Sequence, residues 1–250
     1  MSETRTFEEM LAAVSGVDGW MSPDQAERLY RAAASTHAGD TIVEIGSFRG
    51  RSTVVLASAA PAGVQIVAID PHAGNDRGPQ ELDGFAAAAA TDHDIFNANL
   101  AAAGVTDRVR HVRAFSDKAH ADVTGEVAVL YVDGAHRYAP ARTDIRDWGA
   151  RVVPGGTLLI HDSFSSIGVT LAIARELMFG SRWRYVGRAR SMTEYRADLD
   201  GTTRSRLANA ARQLLQLPWF LKNLVIKVLI TVKLGGLLRR LTGREPEWPY

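Results

Sequence analysis

The 250-residue chain contains no cysteine. This excludes disulfides, thiolate nucleophiles and Cys-ligated zinc sites. It also lacks a strong charge of either sign: the net charge is +1, so whole-chain basicity gives no reason to expect a nucleic-acid partner. The opening MSETRTFEEM has no basic stretch leading into an apolar core. It does not read as a signal peptide, and a cytoplasmic location is the expectation. Charge is unevenly placed. Residues 203–250 carry nine Lys/Arg against Glu245 and Glu247, leaving the first 202 residues acidic.

What is present is a strand–helix rhythm. Apolar, β-branched runs fall at Thr41–Ile45, Val64–Ile69, Val109–Val112, Val127–Val132 and Gly156–Ile160. Helical patterns separate them at Arg51–Ser58, His93–Ala103, Ser116–Val123 and Ala139–Trp148. A further helix over Ser166–Phe179 and short strands at Trp183–Val186 and Met192–Tyr195 complete the set. The alternation predicts an α/β fold, a doubly wound, mostly parallel seven-stranded sheet. Ser22-Pro23 reads as an N-cap and first helical residue, within an N-terminal helical segment over residues 1–39. The main domain spans 40–200 and a basic, apolar helical tail spans 201–250. The stretch Asp70–Asp92 is long for a connection and reads as a lid over the ligand crevice or as a surface insertion. Pro154-Gly155-Gly156 reads as a tight turn before the fifth strand.

The first strand runs into Glu44-Ile45-Gly46-Ser47-Phe48-Arg49-Gly50 and then a helix. Glycines allow close approach of backbone to ligand, and the helix start offers free N–H groups. The dinucleotide fingerprint G-x-G-x-x-G is missing. The E-x-G-x-x-x-G present suits a ligand with a carboxylate and a cationic amine but no phosphate. Asp70 ends the second strand, where an acid can accept hydrogen bonds from ribose hydroxyls.

Two later strands also end in aspartates, at Asp133 and Asp162. Neighbouring strands would bring these carboxylates together at the carboxyl edge of the sheet. A divalent cation, Mg²⁺, would relieve their repulsion and could activate a hydroxyl. His161 is a further ligand or a partner of one. His136, three residues after Asp133, titrates near neutrality and reads as the general base. The remaining histidines look structural: His72 belongs to the lid or surface, and His37, His93, His111 and His120 to surface or core.

E-I-G-S-F-R-G resembles the first motif of class I S-adenosylmethionine (SAM)-dependent methyltransferases. The resemblance implies SAM binding by Glu44, Gly46, Ser47, Gly50 and Asp70, with Phe115 and Ser116 at the adenine and Asp133 close by. V-D-G-A-H-R-Y with P-G-G-T-L-L-I-H-D resembles metal-dependent O-methyltransferases, distantly the catechol type and more nearly a bacterial sugar and macrocin-type branch. The catechol type has a lysine where this chain has His136 and Asp-Asn where it has Asp162-Ser163. That departure leaves the third metal ligand open. The resemblance covers residues 40–197 and implies a saccharide or other small-molecule acceptor. Two alternatives stay open: metal-independent methylation of a phenol, acid or amine, and a non-catalytic scaffold of the same fold held at a membrane.

The tail is apolar but interrupted by Lys222, Lys227 and Lys233, which argues against a spanning helix. An arm across a homodimer partner and an interfacial helix in peripheral membrane contact through residues 217–240 are the two expectations.

Overall fold

The computed structural model describes residues 5–74 and 90–232. Residues 75–89, most of the expected lid, and 233–250, the end of the tail, lie outside the described part. Two helices open the chain, α1 (Phe7–Ala13) and α2 (Pro23–Ala34). Both starts follow from local chemistry. The Thr6 and Glu9 side chains each accept the other residue's backbone N–H, and Gln25 accepts the Ser22 N–H ahead of Pro23.

The alternation then produces β1 (Thr41–Ile45), α3 (Arg51–Ala59), β2 (Gln65–Ile69), α4 (Asp92–Ala102), β3 (Val109–Val112), β4 (Val127–Val132), α5 (Tyr138–Thr143), β5 (Val152–Ile160), α6 (Ile167–Ile173), β6 (Arg184–Ala189) and β7 (Met192–Arg196). The strands form one sheet in the order β3-β2-β1-β4-β5-β7-β6. The first five are parallel, and β7 runs antiparallel to both its neighbours. This is the doubly wound seven-stranded architecture expected.

Every residue of β1 is buried because both faces of the sheet are covered. Successive residues feed opposite cores. Ile42, Ile66 and Val129 pack with Leu29, Val54 and Phe96 on one side. Val43, Val67 and Leu130 pack with Trp148, Ile173 and Trp183 on the other.

Three local expectations are corrected. Ser116–Val123 forms two separate 3₁₀ turns instead of a helix. The first of them places the Ser116 carbonyl to accept the Trp148 indole N–H. Helices α5 and α6 each widen into a π turn, over Asp144–Trp148 and Ala174–Met178. Pro154-Gly155-Gly156 lies inside β5, because Gly155 N–H donates to Ala197 O beyond β7 at 2.9 Å and extends the strand.

The described tail forms α7 (Thr203–Leu214) and α8 (Leu217–Thr231). Polar side chains dock it. Asn209 accepts the Tyr185 N–H and donates to Trp183 O. Asn223 donates to Phe164 O and Lys227 to Ser165 O, both at 3.0 Å. The tail therefore braces the loop that follows β5.

Candidate active site

The β1–α3 turn depends on Gly46. Its φ is +85°, and a Cβ there would lie 2.3 Å from the Asp133 carbonyl oxygen. Only glycine lets the loops after β1 and β4 approach so closely. Asp133 N–H donates to Ile45 O at 2.8 Å, and Gly46 N–H to Ile69 O at 2.9 Å, which ties three strand ends into one edge. Gly50, also left-handed, caps α3 against the Phe96 ring.

Asp70 stands at the centre of this edge. One carboxylate oxygen accepts the Phe48 N–H at 2.8 Å and the other the His72 N–H at 2.7 Å. Both donor residues have positive φ, +46° for Phe48 and +48° for His72. Such backbone is costly for a side-chain-bearing residue. Here it fixes one carboxylate, whose oxygens each keep accepting capacity toward the cavity.

Glu44 behaves differently from a ligand contact. It is fully buried, outside the cavity lining, and accepts hydrogen bonds from the Ser52 and Thr53 hydroxyls. Burial pushes its carboxyl up to about 8 despite those bonds. Its evident work is to tie β1 to α3. Ser47 is also buried, with a hydroxyl that has no hydrogen-bond partner.

At the ends of β4 and β5, His136, His161, Asp133 and Asp162 assemble. His136 Nε2 lies 2.7 Å from Asp162 Oδ2. His161 Nδ1 lies 3.1 Å from Asp133 Oδ1 and 3.8 Å from Asp162 Oδ2. Tyr131 donates its hydroxyl to Asp133 Oδ2 at 2.8 Å. Burial would favour neutral His161, but Asp133 and Asp162 outweigh it and raise its pKa to about 10. Burial likewise opposes charge on His136, and Asp162 again prevails and raises it. Burial of Asp162 is in turn overcome by the two imidazoles, which hold it well below the usual carboxylate range.

Two further devices hold His136. Ser166 Oγ donates to His136 O at 3.1 Å. Gly168 lets α6 pack against this backbone, since a Cβ there would sit 2.2 Å from His136 O. Asp162 itself has φ +53°, and Phe164 beside it +54°.

These groups share one cavity of about 660 Å³. Gly46, Asp70, Phe115, Ser116, Asp133, His136, His161 and Asp162 all line it, whereas Glu44, Ser47 and Gly50 do not. Two lining residues, Trp20 and Asp144, carry no motif signal. Trp20, from the N-terminal segment, stacks on Phe48 with centroids 5.5 Å apart and forms an aromatic wall. Asp144 accepts the Ser116 hydroxyl, and burial pushes its carboxyl up to about 6.

A SAM molecule fits the chemistry of this edge. The Gly46 close approach admits a backbone cradle, and the two-point hold on Asp70 presents acceptors suited to ribose hydroxyls. Magnesium fits less well. Asp133 and Asp162 do not meet as bare carboxylates, because His161 stands between them and His136 takes an Asp162 oxygen. His161, raised to about 10, already offsets part of their negative charge.

Residues 43–163 match a family model described as a methyltransferase domain. With the strand order, this defines a Rossmann-like, class I methyltransferase fold. Among solved structures, the chain is similar to the O-methyltransferase NovP, with a TM-score of 0.60 and 15% identity over 71% of this chain and 81% of that one. It is similar to the O-methyltransferase TomG from Streptomyces achromogenes, solved with SAM, at TM-score 0.52 and 19% identity over 79% and 91%. It also resembles the SAH-bound Podospora anserina methyltransferase PaMTH1, at TM-score 0.53 and 17% identity over 77% and 87%. At these identities the likeness is one of fold.

Proposed function

We propose that the protein is a SAM-dependent O-methyltransferase acting on a hydroxyl of a small molecule, with a saccharide as the acceptor class tested first. The observation that carries this reading is the opening of two arrangements onto one cavity: the Asp70 corner and the Asp162–His136 pair. The volume lies in the range of small-molecule sites. The saccharide class rests on the sequence resemblance alone.

Asp70 would hold the ribose, the Gly46–Gly50 turn the methionine portion and Phe115 with Ser116 the adenine side. The cofactor supplies an electrophilic methyl group. The chain must supply a base and a fixed geometry. Asp162 accepts from His136 Nε2 and orients the ring, so the second ring nitrogen of neutral His136 takes the hydroxyl proton. His161, charged across the neutral range, holds Asp133 and Asp162 in place.

Mg²⁺ at Asp133, Asp162 and His161 is the second reading, favoured by hard oxygen donors on adjacent strand ends. It requires the imidazoles to release those oxygens. Methyl transfer from labelled SAM to a panel of sugars, oligosaccharides and phenols, with Mg²⁺ or with EDTA, tests both. Turnover that survives EDTA supports the His136 base. Turnover that needs Mg²⁺ supports the metal, and no transfer to any hydroxyl contradicts both.

The tail is proposed to associate with a second copy. Leu217, Leu221, Val225 and Val228 are exposed at helical spacing on α8, and Val232 at its C-cap continues the row. By length and composition, Thr203–Thr231 could also cross a membrane. Sedimentation and liposome flotation of the full chain separate a dimer from membrane contact.

A further inference from the structure

Three histidines that the sequence scatters meet beside the cofactor edge. His72 follows β2, His93 opens α4 and His111 lies in β3. One ligand nitrogen from each lies within 4.8 Å of the others. The rings are packed at centroid separations of 4.8–5.5 Å.

In each ring Nε2 is already engaged. His72 Nε2 lies 2.7 Å from Phe48 O, His111 Nε2 lies 3.2 Å from Asp70 O, and His93 Nε2 lies 3.1 Å from the Asn97 side-chain amide. In the first two, Nε2–H must donate, because a carbonyl only accepts. Rotation of the Asn97 amide gives His93 the same arrangement. Nδ1 is then left to each ring as a lone pair. The Nδ1 atoms of His72 and His93 are buried and have no hydrogen-bond partner.

A carbonyl behind one nitrogen and an unshared lone pair on the other is how proteins present histidine to a metal. His72 is also buried and held at φ +48°, a backbone conformation that side-chain-bearing residues rarely adopt. Arg113 and Asp94 are charged groups that act on His93.

We propose that His72, His93 and His111 form a three-histidine site for a late first-row divalent cation, with Zn²⁺ as the probe. Tetrahedral zinc would draw the nitrogens to about 3.3 Å apart, a modest closure from the present spacing. Imidazole donors suit zinc, copper, nickel or cobalt and disfavour Mg²⁺. The cation would tie β2, β3 and α4 together directly behind Asp70. Given the SAM reading above, it would also stiffen the cofactor corner, since His72 bonds both Asp70 and Phe48.

The test uses full-length protein freed of metal by EDTA and desalting. Co²⁺ titration is followed by visible absorption and by the hyperfine-shifted imidazole N–H signals in proton NMR. The expected result is saturation at one equivalent, three shifted N–H signals and displacement by Zn²⁺. His93→Ala with His111→Ala should weaken binding by at least about tenfold. Absence of stoichiometric binding, fewer than three N–H signals, or undiminished binding by a folded double variant overturns the site. If the double variant does not fold, the wild-type N–H count decides. Coupling is read separately: Zn²⁺ should tighten SAM binding, and SAM should tighten Zn²⁺ binding equally. Zinc binding without any effect on SAM leaves the site standing and removes its link to Asp70.

Discussion

His136 Nε2 and Asp162 Oδ2 lie 2.7 Å apart, joining the loop after β4 to the end of β5. Burial alone would lower the His136 pKa, and the carboxylate reverses that effect. A base of this kind is stronger than free imidazole but is protonated over more of the acid range. The dependence of kcat/KM on pH should show an acid limb above the ordinary histidine value. In Asp162→Asn the limb should move to lower pH, because the strongest influence opposing burial is removed and only Asp133 still raises His136, and the plateau should fall by roughly 10²-fold or more. A pH–rate series on both proteins checks this. An unmoved limb would remove His136 from the role.

The buried Glu44 makes stability depend on pH. Its carboxyl is raised from the ordinary range to about 8, so the folded protein holds a proton that the unfolded chain releases. That stabilisation is complete below about 4.5 and is lost as pH rises toward 8. In Glu44→Gln the loss is absent. Denaturant unfolding between pH 5 and pH 8 should show the wild type weakening relative to the variant by on the order of 1 kcal/mol per pH unit. A constant difference would contradict the buried, protonated Glu44.

The fold was legible because each buried parallel strand is a short β-branched run closed by a loop signal. The strand ends at Asp70, Asp133 and Asp162 followed from the same pattern. The length of β5 did not, since Pro154-Gly155 has turn chemistry and joins the strand only through the pairing of Gly155 with Ala197. Proximity of Asp133 and Asp162 was readable from strand order, but the His161 imidazole between them was not. That imidazole reaches both carboxylates, a side-chain placement that strand order does not encode. The meeting of His72, His93 and His111 was invisible for a related reason. Each sits on a different element, and only the packing of α4 over β2 and β3 brings them together.

The tail should affect catalysis without touching the cofactor. Asn223 and Lys227 hold the carbonyls of Phe164 and Ser165, two and three residues past Asp162. Asn223→Ala leaves the buried Phe164 carbonyl unsatisfied, at a cost of about 1–3 kcal/mol. We expect kcat to fall by roughly tenfold with SAM affinity unchanged. Unchanged kcat in a folded Asn223→Ala protein would show that the Asp162 loop needs no brace.

Gly168 offers a complementary test of His136 placement. Gly168→Ala must push the α6 backbone away from His136 O, because the new Cβ would lie at 2.2 Å. The expected outcome is loss of kcat with retention of the SAM site, read by turnover and by calorimetry. Equal loss of SAM affinity would mean that the two halves of the cavity are not separable in this way.

The most direct measurement is calorimetric titration of SAM into the full chain and into Asp70→Ala. Two backbone N–H groups fix the Asp70 carboxylate toward the cavity, and the ribose hydroxyls are its assigned partners. One SAM should bind per wild-type chain. Binding in the variant should weaken by about 1.5–3 kcal/mol, roughly 10- to 150-fold in Kd. Absence of SAM binding, or equal affinity in the two proteins, would contradict the assignment of this edge as the cofactor site.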